Sequence, residues 1–391
     1  MFAARGGFTY VEAGTPPPSF PAWPAIPTQE EMNTEFSSNF VSSGNATAVA
    51  SNFSIIASAA IPKRRHAVAH PNGNIYLLPR SNSQMLIYNT SANTMTAYNT
   101  TFTDYQGGAL SGYNGNIYMM PHESSTKRTI LEINTAPSVR EISGLTNIPA
   151  AGSCDYQSAV SLGNSIMFFN FSTSANCLIY DPQANTLTVT PVKATTNNEF
   201  ISGVYHPNGK VYIPPYDGNQ MIEYDPANNT VRRFTMTGVT VTGADQYSGG
   251  TLGADNKIYF PPWGRSDILI YDPIANVAKQ QTWGLSLGNY NFISGALGAD
   301  GNVYVAPAPY GVSTANLVMV ICTQPSNPSY NTAVLTNFGI TAPAVGQWGI
   351  RAGANNKLVS VDETSGSVWV ITTNGSANVN ALLSPYLNKG G

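Results

Sequence analysis

Charge is scarce in this chain. Only 10% of its 391 residues are Asp, Glu, Lys or Arg, against about 25% in an average soluble domain. The net charge of −3 offers no general attraction to a polyanion, so nucleic acid is not an expected partner. The only cationic run, Lys63-Arg64-Arg65, is too short for such a site and reads as a solvated loop. Cysteine is nearly absent. Cys154, Cys177 and Cys322 are odd in number and widely spaced, which excludes a disulfide framework and a zinc pattern. Histidine is equally sparse. His66 and His70 lie at i and i+4 of one extended segment, about 13 Å apart, too far to share a zinc ion. No window has the apolar length of a membrane span, so membrane insertion is not expected. The first residues lack the apolar stretch of a secretory signal. No Ser-His-Asp set, phosphate loop or paired acid stands out. The sequence therefore predicts no catalytic residue, no metal and no cofactor.

What the chain has instead is a repeat. Gly73-Asn74-Ile75-Tyr76, Gly115-Asn116-Ile117-Tyr118, Gly209-Lys210-Val211-Tyr212, Asn256-Lys257-Ile258-Tyr259 and Gly301-Asn302-Val303-Tyr304 are its best copies, with weaker ones around Phe168 and Val359. A spacing in the forties is the signature of propeller blades. Each unit reads as four strands. Strand A is short and rich in small residues, as in Ile293-Ser294-Gly295-Ala296. An Asn-Gly or Asp-Gly pair then reads as a type I′ turn. Strand B carries Ile-Tyr and ends near a proline, where no ladder donor is lost. Strand C runs into Tyr-Asp-Pro, as at 180–182, 224–226 and 271–273, which starts a type I turn. The Asn that follows, Asn185, Asn228 or Asn276, is placed in the left-handed position. Six units are complete. A seventh lacks its last strand, which 53–57 can supply from the other end of the domain. The expected fold is an all-β, seven-bladed β-propeller of four-stranded blades, closed by an N-terminal strand, because closure removes free sheet edges.

Residues 1–52 differ in kind. Pro16, Pro17, Pro18, Pro21, Pro24 and Pro27 impose an extended path. Thr28-x-x-Glu31 then reads as a capping box, with Met32, Phe36 and Phe40 on one stripe of a short helix. The expected division is an arm at 1–52, the propeller at 53–373 and a tail at 374–391. Phe20, Trp23, Met32, Phe36 and Phe40 are the candidate docking residues of the arm.

In a four-stranded blade the A–B and C–D connections share one face, and the longer B–C and D–A connections share the other. Aromatics that recur before strand A, namely Tyr105, Tyr156, Phe200, Tyr247 and Phe292, read as packing between blades. Asp104, Asp155, Glu199 and Asp245 read as loop acids rather than a cation site. Tyr216, Trp263 and Tyr310 do not recur at every blade. With Asp217 and Arg265 they are the candidate ligand-binding residues: aromatic faces to stack on a sugar ring and polar groups to fix it.

The unit typified by Leu297-Gly298-Ala299-Asp300-Gly301-Asn302-Val303-Tyr304 resembles kelch and NHL-type propeller repeats, and more loosely the virginiamycin B lyase-like propellers. The kelch Gly-Gly doublet occurs only at 107–108 and 249–250, inside strand A rather than at its kelch place, and no lyase histidine is identifiable. The Pro-rich arm, the Asn/Thr/Ser-rich blades and the Gly-Gly finish are similar in style to structural proteins of tailed-bacteriophage virions. That similarity implies a non-enzymatic virion protein, assembled in host cytoplasm. Its arm would dock on capsid, portal or tail proteins, and its propeller would contact host-surface glycan. The alternatives are a polysaccharide-acting lyase or glycosidase and a kelch-like interaction adaptor.

Overall fold

The computed structural model describes residues 51–53, most of 66–373 and residues 389–390. Outside the described residues lie 1–50, 54–65, 374–388 and 391, together with 79–83, 104, 122–126, 135–137, 149–154, 172–174, 196–198, 200, 286–291, 308–316, 326, 337–346, 353–355 and 363–367. The short helix expected in the arm falls there, and among the described residues there is no helix.

The described residues form an all-β propeller. Six blades are each built from four consecutive antiparallel strands, at 66–99, 105–142, 156–193, 204–234, 251–281 and 292–336. This corrects the expectation of seven blades. The remaining sheet is composite: Gln347–Ala352, Lys357–Asp362 and Val368–Thr372 are completed by Ser51–Phe53, which pairs antiparallel with the last of them. The closing strand therefore begins two residues earlier than expected, inside the span read as arm. Innermost strands touch their neighbours in chain order, and Gln347–Ala352 touches His66–Ala69 of the first blade. Lys389–Gly390 adds a short fifth strand to Tyr156–Ser161, the inner strand of the third blade.

Burial follows position within a blade. Inner strands such as Tyr105–Leu110 and Ile117–Pro121 are buried throughout, whereas the outer strand Thr94–Asn99 is mostly exposed. The core lies between blades. Val68, Tyr76 and Leu78 of the first blade pack with Leu110, Met119 and Leu131 of the second. Small residues allow this convergence. Gly107 and Gly249 take left-handed backbone angles (φ +59° and +67°) beside the inner strand of the next blade, and pairing slips by one residue at Gly107. The inner strands of the fourth and fifth blades shrink to Val204–Tyr205 and Thr251–Leu252.

The turns correct two local expectations. In the A–B turn the Gly73 N–H donates to His70 O at 3.0 Å, and within the turn only Gly73 has positive φ. This is a type I turn closed by one left-handed residue, not a type I′ pair. The Asn72 side chain holds it by accepting from the Asn74 N–H at 3.0 Å. In the C–D turns Asp181, Asp225 and Asp272 accept from backbone N–H groups two and three residues on. The left-handed residue of the fourth blade is Asn229 (φ 50°), not Asn228. In four blades its side chain accepts from the tyrosine five residues earlier: Tyr88 to Asn93, Tyr180 to Asn185, Tyr224 to Asn229 and Tyr271 to Asn276.

The Tyr of strand B is fixed in one of two ways. In three blades an Asn amide donates to its hydroxyl: Asn72 to Tyr76, Asn114 to Tyr118 and Asn208 to Tyr212. In the fifth and sixth blades an Asp takes the Asn position and the polarity inverts. Tyr259 donates to Asp255 at 2.9 Å and Tyr304 to Asp300 at 2.7 Å. Burial pushes both Asp carboxyls above their ordinary range. Asp300 holds a proton on folding more readily than in the unfolded chain, so its ionisation opposes stability as pH rises through about 4. Asp300→Asn would restore the Asn arrangement. It is expected to raise the melting temperature at pH 7, since the group whose ionisation opposes folding is gone. The gain should vanish below about pH 4, where both states of Asp300 are protonated.

Candidate functional site

The B–C and D–A connections of the third, fourth and fifth blades are knitted into a belt. The Phe171 N–H donates to Asp155 O, Tyr216 N–H to Glu199 O, and Trp263 N–H to Gln246 O, at 2.8, 3.0 and 2.8 Å. The belt continues between blades, with Gln246 N–H donating to Tyr216 O and Phe292 N–H to Pro262 O.

This belt decides the fate of the candidate ligand residues. Tyr216 and Trp263 do come together, with ring centroids 6.5 Å apart. They are buried, at 7% and 5% exposure, in a small cluster with Ile293 against which Phe171 and Ile201 pack. Phe171 meets Tyr216 edge-on at 6.0 Å. These rings fill space between blades and present little face to a sugar. Arg265 is also engaged. It makes a two-pronged pair with Asp267 at 3.1 and 2.9 Å and lies over the Tyr247 ring. Tyr247 donates to the same carboxylate. Asp217 accepts from the Asp245 N–H at 2.7 Å. Burial, with a smaller contribution from the Asp245 charge, pushes its carboxyl above the usual range. Tyr310 and the docking residues Phe20, Trp23, Met32, Phe36 and Phe40 lie outside the described residues.

Phe171 was missed by sequence reasoning, although a signal exists. It stands five residues after Ile166, as Tyr216 does after Val211 and Trp263 after Ile258. The three aromatics are one position of the repeat on successive blades, which is why they pack.

Two of the loop acids, Glu199 and Asp155, are bonded within the fold, and Asp104 lies outside the described residues. Glu199 is paired with Arg233 and accepts from the Thr195 N–H and hydroxyl. The Asp155 carboxylate accepts from Gln157 at 2.6 Å. Tyr105, Tyr156, Tyr247 and Phe292 are fully buried, as packing aromatics should be. Among the described residues no three His, Cys, Asp or Glu converge as a metal-binding group. His70 and His206 are turn residues that also bridge blades. The ring of each bonds a carbonyl of the next blade, Gly115 O at 2.9 Å and Asn256 O at 3.0 Å. Burial holds both imidazoles below their ordinary pKa. Cys177 and Cys322 are buried free thiols, and burial pushes Cys177 up to about 12.

Fold and loop geometry together place the chain in the β-propeller class. No family model and no curated protein matches it. Solved propellers do. Virginiamycin B lyase from Staphylococcus aureus superposes with a TM-score of 0.65 at 11% identity, covering 84% of this chain and all of the other. A streptogramin B lyase gives 0.63 at 12%, over 84% and 98% of the two chains. A fungal alcohol oxidase of the AA5 family, in complex with copper, gives 0.56 at 15%, over 83% and 76%. At such identities the likeness is one of fold alone.

Proposed function

We propose that the protein is a non-enzymatic structural propeller of a virion, anchored through residues 1–52 and presenting its blades to host-surface glycan. In this reading the composite sheet joins the sixth blade to the first. The observation that carries the non-enzymatic part is the engagement of reactive groups. Arg265, Glu199 and Asp217, the charged side chains best placed for chemistry on the loop face, are each already bonded to protein partners. Such a belt offers a stiff shape rather than poised acids and bases. The virion part rests on the Pro-rich arm and the sparse charge of the sequence.

Deleting residues 1–45 spares the closing strand Ser51–Phe53 and tests the anchoring. The shortened chain keeps every described strand and is expected to fold, yet to be missing from purified particles. Its presence there at normal copy number would overturn the reading. The enzyme alternative predicts depolymerisation of host polysaccharide that Asp217→Ala or Asp245→Ala abolishes. The adaptor alternative predicts a cytosolic peptide partner.

A further inference from the structure

The opposite face, made of short turns, carries a cavity of about 410 Å³ at the seam between the second and third blades. Tyr118 and Tyr180, each only 1% exposed, lie behind its lining with ring centroids 5.1 Å apart and planes tilted by 60°. Glu132 lies at its base with a side chain 6% exposed, and Arg140 at its mouth with a side chain 75% exposed. One Glu132 oxygen accepts from Tyr118 at 2.8 Å and from Asn116 at 2.6 Å. The other accepts from Arg140 Nε. The carboxylate holds three donors and acts as a clamp. It fixes the guanidinium plane while Nη1 and Nη2 make no hydrogen bond among the described residues.

The molecule contains its own comparison. Asn208, Tyr212, Glu223, Arg232, Tyr271 and Asn276 repeat the same frame at the seam between the fourth and fifth blades. Tyr212 and Tyr271 are 5.3 Å apart there, and Arg232 pairs with Glu223. There Phe234 packs against Tyr271, with ring centroids 5.9 Å apart. Phe234 occupies the place of Ile142, its ring lies 4.1 Å from the Arg232 guanidinium carbon, and Arg232 Nη2 is taken by Glu223 at 2.8 Å and Asn276 at 3.5 Å. The two seams share a frame and differ in the guanidinium: Arg232 Nη2 is engaged and covered by Phe234, whereas the Arg140 fork is fixed at Nε alone.

We propose that the open seam is a binding site for a neutral, hydroxyl-rich saccharide, an inference that rests on the glycan-binding part of the function proposed above. Adjacent ring hydroxyls can accept from the two Nη groups while Ser143 and Asn185 of the lining offer further hydrogen bonds. Glu132 sits directly behind the guanidinium and cancels its charge, so an anionic ligand gains little here. The size suits a small part of a chain rather than a whole polymer.

Saturation-transfer NMR on the full chain with maltotetraose, cellotetraose, isomaltotetraose and N-acetyllactosamine tests this. Transfer to at least one sugar is expected, with affinity changing less than about twofold between roughly 50 and 500 mM salt. Arg140→Ala should weaken it about tenfold or more, the loss of more than one hydrogen bond. Ile142→Phe, which copies Phe234 of the other seam and leaves the Glu132–Arg140 pair intact, should do the same in a chain that still folds. Arg232→Ala should leave it within about twofold. Transfer to none of the sugars would overturn the inference and the glycan reading together. Transfer that survives both Arg140→Ala and Ile142→Phe would overturn only the placement. Binding that collapses in salt would mark an anionic ligand and overturn the assigned class.

Discussion

Gly249→Ala is expected to destabilise the protein by about 3–5 kcal/mol, the range of a core clash added to an unfavourable backbone angle. Its φ of +67° suits glycine, and an added Cβ would stand 2.6 Å from the Ile293 carbonyl oxygen of the next inner strand. That oxygen belongs to backbone and cannot swing away, so two blades must separate. Gly209→Ala supplies the control. Its φ is +82°, but nothing lies within 4 Å of the added carbon, so only the conformational term of about 1 kcal/mol remains. Denaturant midpoints should show the difference clearly. Equal losses at the two sites would mean that the inner strands have room to part.

Trp263→Ala is expected to be nearly as damaging, at about 3–5 kcal/mol. The ring is almost fully covered by Tyr216, Ile293 and their neighbours, so truncation leaves a cavity where three blades meet. Trp263→Phe retains most of the contact and should cost about 1–2 kcal/mol. An exposed stacking residue would behave differently, its loss falling within about 0.5 kcal/mol. Urea unfolding of the two variants therefore separates a packing tryptophan from a ligand platform. A loss below about 1 kcal/mol for Trp263→Ala would return the ring to the candidate ligand residues.

The contrast shows what was legible in the sequence. Strand order, the Ile-Tyr strands and the Tyr-Asp-Pro corners could be read because each is local and recurs at a fixed period. The closing strand was read correctly in kind but two residues late. Its partner Val368–Thr372 is more than three hundred residues away in the chain, and nothing local fixes that register. Irregular recurrence singled out Tyr216 and Trp263, and the structure places both rings between blades. Their shared position with Phe171 becomes visible only when the repeat is counted from strand B. The open seam was invisible for the opposite reason. Glu132 and Arg140 are ordinary cross-strand neighbours, and the difference between the two seams rests on Ile142 against Phe234, two apolar residues that periodicity treats alike.

The strand Ser51–Phe53 also carries a consequence for synthesis. Its partner emerges from the ribosome about 320 residues later, on the order of 15–60 s at ordinary elongation rates. During that interval the six consecutive blades can form one after another, each from neighbouring chain, while a single early segment stays unpaired and exposed. Closure of this sheet is thus a late event set by the order of synthesis, and a second nascent chain nearby would offer the same waiting edge a rival partner.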